Sequence, residues 1–240
     1  MEREILAVME YNDAGCLIYA QNYPGAFVRG ATQAEALSKF DGELRSYLHW
    51  ATGEKPSYAL DFPVTIVQEK KSELQICDAD SDVLFASECG KMSREEYDSL
   101  RHLVLKSAQD FQSLYSSIPN PDISLHSPRK TFYGMVPRTP REMYEHTNSV
   151  TNYYCGEIDV SIPNLKNIVH NRMHALSELE AVEGFLANEV HEGSFDESWT
   201  LKKVLRRFVW HDRIHAKAMY RTAIALWGKV VIENPFCFEL

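Results

Sequence analysis

His211 and His215 stand four residues apart in the run Phe208-Val209-Trp210-His211-Asp212-Arg213-Ile214-His215. Residues at that spacing lie one turn apart on one face of a helix, so two imidazoles there can hold a single metal ion from one element. With Leu201 set to zero and about 100° per residue, Val204, Leu205, Phe208, Met219 and Thr222 fall within about 60° of zero and make the apolar face. His215 falls at about 320°, inside that face, and His211 at about 280°, on its edge. A third candidate is His146, which points to the interior from the margin of its own helix's apolar arc, formed by Met143, Thr147, Val150, Tyr154 and Ile158. Three neutral imidazoles leave coordination positions open for water or a substrate atom. An ion there can acidify bound water or hold a thiol as thiolate. The alternative is that each histidine is an ordinary hydrogen-bonded core residue.

Two carboxylates stand near these ligands. Asp212 follows His211, and Glu142 lies one turn before His146. Either can orient a ligand imidazole from behind, or form an ion pair instead. Tyr153 and Tyr154 can line the pocket or simply pack. His170 and His174 repeat the four-residue spacing but fall opposite the apolar stripe of their helix, which predicts a solvated pair without metal. His49, His102, His126 and His191 have no spacing that demands a function. No Ser/His/Asp triad, P-loop or dinucleotide fingerprint is present, so no catalytic residue is assigned and no nucleotide cofactor is expected.

The elements that position the histidines are helical. Ser93 with Glu96 makes a capping box ahead of a stripe from Tyr97 to Leu114. Thr139-Pro140 opens a second helix that runs to about Ile158. Pro163-Asn164 opens a third, with a stripe from Leu165 to Leu186. Thr200 caps a fourth, from Leu201 to about Trp227, stopped by Gly228. Between the first two, residues 119–140 carry five of the ten prolines, which suits a long crossover.

The first ninety residues predict strands around one helix. Ile5–Met9 and Cys16–Ala20 flank Asn12-Asp13-Ala14-Gly15, a hairpin signal, and Tyr23-Pro24-Gly25 is a second turn. Thr32 with Glu35 starts a helix ending near Gly53. Further strands are expected at Pro63–Gln68, Leu74–Ile76 and Val83–Ala86. The fold class is α+β: a small strand–helix module over residues 1–90, then an up-down four-helix bundle with a long crossover over residues 92–240.

Charge is unevenly spread along this plan. The formal net charge is -9; residues 1–90 hold 7 Lys+Arg against 15 Asp+Glu, leaving 18 against 19 in residues 91–240. An acidic first half argues against a nucleic-acid footprint and leaves room for a basic protein partner. Five scattered cysteines without a CxxC pair fit free thiols in a reducing compartment. The charged start Met1-Glu2-Arg3-Glu4 is not a signal peptide, and no apolar run approaches the ~20 residues of a membrane span. A cytoplasmic location is expected.

Two resemblances add to this reading. The run Thr200–His215, with Trp210-His211 and His215 after an apolar helical stretch, resembles the last helix of the DinB-like metal-binding proteins. Met143-Tyr144-Glu145-His146 through Glu157 resembles that family's second helix, which supplies the remaining ligand. The resemblance implies a four-helix bundle with a divalent ion on His146, His211 and His215, zinc or nickel before manganese or iron. It also implies transfer or isomerisation of small molecules linked to low-molecular-weight thiols; with water or a thiol activated at the open site, the expected reaction is that of a metal-dependent hydrolase or thiol-dependent transferase. Tyr11–Gly15, Tyr23–Gly30 and Thr32–Leu37 resemble the HicB antitoxin-type module, which implies partner binding. The competing expectation is a non-catalytic interaction protein. In that reading the module docks a partner or a second copy of the chain, as a homodimer, and the metal is structural or absent. A toxin–antitoxin regulator is a third expectation, weakened by the acidic first half.

Overall fold

The first turn is built by Asn12, whose side-chain Oδ1 accepts the Ala14 amide at 2.9 Å. Gly15 then takes φ +143°, and a Cβ there would sit 2.6 Å from the Gly30 carbonyl oxygen. In the computed structural model, which describes residues 4–57, 60–76, 79–131 and 134–240, this turn joins β1 (Ile5–Asn12) to β2 (Gly15–Ala20), with Asn12 opposite Gly15. The Tyr23-Pro24-Gly25 turn, closed by the Ala26 amide on the Tyr23 carbonyl, leads into β3 (Phe27–Gly30), antiparallel to β2.

Thr32 caps α1 (Gln33–Leu37) by accepting the Glu35 amide, and the Glu35 carboxylate returns to the Ala31 amide. The single helix expected from Thr32 to Gly53 is two helices: α2 (Phe40–Thr52) starts after a break at Ser38-Lys39. At the break the Ser38 hydroxyl satisfies the Glu35 carbonyl, and the Lys39 ammonium turns to the Arg29 carbonyl at 2.6 Å. Gly53 ends α2 in the left-handed region. The chain returns as β4 (Val64–Lys71), parallel to β1, giving sheet order β3-β2-β1-β4.

The strands expected at Leu74–Ile76 and Val83–Ala86 do not form. Their apolar residues cover a sheet face instead of pairing with an edge: Ile76, Val83 and Phe85 pack with Val8, Leu17, Tyr19 and Phe27. Alternation alone cannot distinguish these two uses of a short apolar run.

α3 (Arg94–Ser116) starts at the expected capping box of Ser93 with Glu96, and α4 (Pro140–Gly156) at the expected Thr139 cap, where Glu142 completes a capping box as well. The proline-rich connection holds one short hairpin, β5 (Lys130–Thr131) with β6 (Gly134–Met135). α5 (Ile168–Ala181) is shorter than expected at both ends. Asn167 is its cap, while Asn164 ties the preceding loop to α4 through the Ser149 carbonyl and the Asn152 amide. Leu165 and Val182, assigned to its apolar stripe, are exposed. A small pair, β7 (His191–Glu192) with β8 (Ser198–Trp199), precedes α6 (Leu201–Trp227), capped by Thr200 and ended by Gly228. α3 and α4 each pack on both α5 and α6.

The core does not divide at residue 91. One apolar cluster joins Ile5, Leu44 and Trp50 to Phe111, Val209 and Phe236. Trp210 of α6 inserts on the other sheet face against Tyr19 and Phe27. The acidic first half meets its countercharges on this same helix: Glu43 takes Arg213 and Lys217, and Glu88 takes Arg206. No helix among the described residues is long and apolar enough to cross a membrane. The described cysteines, Cys16, Cys89, Cys155 and Cys237, are free thiols; Cys77 and Met1–Arg3 lie outside the described residues.

Candidate metal centre

α6 presents His211 and His215 one turn apart, and α4, packed against it, presents His146. The three ring centroids form a near-equilateral triangle: His146–His211 5.0 Å, His146–His215 4.8 Å and His211–His215 4.5 Å. One nitrogen from each ring lies within 4.8 Å of the other two. Metal–nitrogen bonds of about 2.0–2.1 Å need ligand nitrogens roughly 3.3–3.5 Å apart, so small side-chain rotations bring all three onto one ion.

The electronic state of the rings suits that role. Burial, reinforced by the neighbouring His146, pushes His215 down to about 3. Burial also carries His211 well below its ordinary value, with His215, His146, Arg207 and Arg172 adding to the effect. His146, which shows a face to solvent at the rim, is lowered by burial as well. Neutral imidazoles keep the lone pair a metal needs. No ring nitrogen of the three has a hydrogen-bond partner among the described residues, and His211 Nδ1 is buried without one. Buried polar atoms are nearly always partnered, so an orphaned imidazole nitrogen facing two others fits a ligand set better than a core histidine. The donor set and its orphaned nitrogen therefore fit a divalent ion.

The two carboxylates do not orient these rings. Asp212 is fully buried, but its oxygens go to Ser107 at 2.6 Å and to Arg172 at 3.1 Å. Advancing one residue past His211 turns its side chain by about 100°, away from the histidine face and towards α3 and α5. Glu142 is consumed by capping α4, accepting the Arg138 and Thr139 amides. Capping-box geometry directs an N3 carboxylate back along the chain rather than forward to the next turn. His170 is exposed, and His174 faces Glu178 at 3.8 Å; neither joins a cluster.

A cavity of about 320 Å³ opens over the triangle, lined by the three histidines with Tyr153, Tyr154, Glu197, Arg207 and Trp210. Tyr154 is buried and packs its ring on Trp199, Phe208 and the edge of His211, so it both packs and lines. Burial, then Glu157 and Glu197, raise the Tyr153 phenol, which stays a hydroxyl donor at neutral pH. Arg207 donates to the Ser81 carbonyl at 2.8 Å and faces Glu197 at 3.5 Å, while its Nε has no partner among the described residues. Glu197 also takes Lys203 at 2.8 Å. Sequence reasoning missed Arg207 and Glu197. Arg207 lies one turn before His211, which is the signal that could have found it; Glu197 arrives from a loop and left none.

Comparisons of the chain with protein-family models, with curated proteins and with solved structures gave no match.

Proposed function

We propose that this chain is a metal-dependent enzyme of the DinB-like four-helix-bundle type, with one divalent ion on His146, His211 and His215. Zinc or nickel is the leading ion, and the reaction is hydrolysis or transfer on a thiol-linked small molecule. The observation that carries the reading is the triangle of neutral imidazoles, with His211 Nδ1 buried and unpartnered among the described residues, set in the wall of an open cavity. A purely structural site would be closed by a fourth protein ligand; among the described residues the cluster holds three.

When bound, the ion supplies a Lewis acid that lowers the pKa of a coordinated water or thiol. The chain's own residues do the rest. His211 and His215 hold their spacing through the rigid turn of α6, and His146 closes the set from α4. The Tyr153 hydroxyl can donate to an oxygen of a substrate in the cavity. Arg207 offers an unpaired Nε to a developing negative charge there, in the manner of preorganised donors generally. Trp210, Tyr154 and Val150 make the inner wall apolar, which lowers the local dielectric and strengthens those interactions.

The test is elemental analysis of protein purified without an affinity tag, followed by zinc and nickel titration of the metal-free form. About one equivalent per chain is expected for the native protein and for His170→Ala, with loss in His211→Ala and His215→Ala. Full metal content in all four proteins would refute the site.

A further inference from the structure

Arg207 and Trp210 stand on α6 just before His211, and both line the 320 Å³ cavity over the histidines. Both are almost wholly enclosed, at 7% and 4% exposed. Each nonetheless keeps a nitrogen without a hydrogen-bond partner among the described residues, Arg207 Nε and Trp210 Nε1. The two groups are neighbours: the guanidinium carbon lies 5.1 Å from the centroid of the indole ring. An indole N–H and a guanidinium N–H can only donate. Buried donors are rarely left open, so two of them in residues lining one cavity call for an acceptor supplied by whatever fills it.

The charges of this lining are matched inside the protein. Glu197 faces Arg207 at 3.5 Å and takes Lys203 at 2.8 Å. Asp80 and Arg129, the other charged residues of the lining, have partners of their own. The three imidazoles are neutral. A charged group pressed against this wall would give up its water without meeting a free countercharge, which is unfavourable. The remaining surface is largely apolar, with Val136, Val150, Tyr154 and Ile214. Its volume lies at the small end of ligand sites, about 300–1,000 Å³, and suits one compact group.

We infer that this cavity binds the uncharged acyl group of a small molecule, its carbonyl oxygen accepting from Trp210 Nε1 and Arg207 Nε and its apolar part packed on Val150, Tyr154 and Ile214. That this group is the part of the substrate carried by the thiol rests on the function proposed above; its binding does not. The substrate is then a thioester, and its hydrolysis consumes one water and returns a carboxylic acid and the free thiol. Trp210 thereby has two duties. Its ring packs against Tyr19 and Phe27 on the sheet, and its N–H serves the cavity.

The experiment uses the full-length, metal-free chain and ligand-observed NMR titration with three probes of one shape: acetophenone, ethylbenzene and benzoate. Acetophenone is expected to bind saturably. Ethylbenzene, with a methylene in place of the carbonyl, is expected to bind about tenfold more weakly, the loss of one to two hydrogen bonds. Benzoate is expected to bind more weakly than acetophenone because its charge goes unmatched. Trp210→Phe keeps an aromatic ring and removes the N–H, so it should weaken acetophenone and leave ethylbenzene as it was, a split that a purely packing role would not produce. No saturable binding of acetophenone, equal binding of ethylbenzene, tighter binding of benzoate, or an unchanged acetophenone affinity in Trp210→Phe would overturn the inference. The three-probe comparison needs only the native chain, so it stands whether or not the variant folds. Because the titration contains no metal, failure of the histidines to take up zinc would leave this result standing, and loss of acetophenone binding would leave the metal site standing.

Discussion

Replacing Asp212 by Asn tests how α6 is held in place. Asp212 and Arg172 are each 0% exposed, and they meet at 3.1 Å between α6 and α5. Ser107 of α3 donates to the other carboxylate oxygen, so one side chain ties three helices together. Among the described residues Arg172 has little else: its Nε and one terminal nitrogen are unpartnered, and its guanidinium stacks 3.8 Å from the Phe208 ring. Asp212→Asn therefore strands a buried cation. Breaking one side of a buried pair costs about 3–5 kcal/mol. A chain of this size loses about 2–4 °C per kcal/mol, so the midpoint should fall by roughly 6–20 °C. Removing both partners, as Arg172→Met with Asp212→Leu, should recover most of that loss, since an apolar pair of similar volume needs no countercharge. Urea unfolding of the native chain, Asp212→Leu, Arg172→Met and the double variant gives the coupling directly. A loss below about 1 kcal/mol for Asp212→Asn would refute the argument, because it would mean water or a rearranged partner reaches Arg172. The same variant separates stability from ligand orientation. While folded, Asp212→Asn should bind metal with native stoichiometry, since the carboxylate touches no imidazole.

Two further outcomes follow from the packing and the charges. In metal-free protein His215 titrates at about 3, against about 6.5 in the unfolded chain, so the unfolded state takes up its proton first as pH falls. This stability is fully present above 6.5 and is lost on acidification towards 3; at complete burial it would reach about 5 kcal/mol. Water in the open cavity should reduce that to about 2 kcal/mol. Urea unfolding at pH 7 and 4.5 should show a smaller acid loss in His215→Gln than in the native chain, and equal losses would sink the assignment. Gly25 sits at φ +98° where a Cβ would lie 2.5 Å from Val209 Cγ1 and 3.2 Å from Arg213 Cδ. Gly25→Ala should therefore destabilise by about 2–3 kcal/mol through strain and overpacking, measured by thermal unfolding; a change within about 0.5 kcal/mol would show that α6 shifts freely on the sheet.

Local chemistry made much of the plan legible. The Ser93 capping box, the Thr139-Pro140 start, the Thr200 cap and the Gly228 stop locate three helices, because a helix end needs partners that lie within a few residues of it. The Asn12–Gly15 turn is local in the same sense. The four-residue spacing on α6 likewise places His211 and His215 together, since one helical turn is a property of the backbone alone. The rest depended on contacts between distant segments. The residues around Ile76 and Phe85 read as strands but cover a sheet face, because period-2 apolarity says a side is buried and not what buries it. Asp212 lies next to His211 in sequence, yet its direction is decided by Ser107 and Arg172 on other helices. Arg29 and Lys39, set in an acidic stretch, line one cavity with Lys217 and Arg221 only because the fold brings β3 and α6 to the same place. Sequence by itself determined which residues could be ligands; tertiary structure decided which carboxylates, cations and walls surround them, because those neighbours come from segments far apart in the chain.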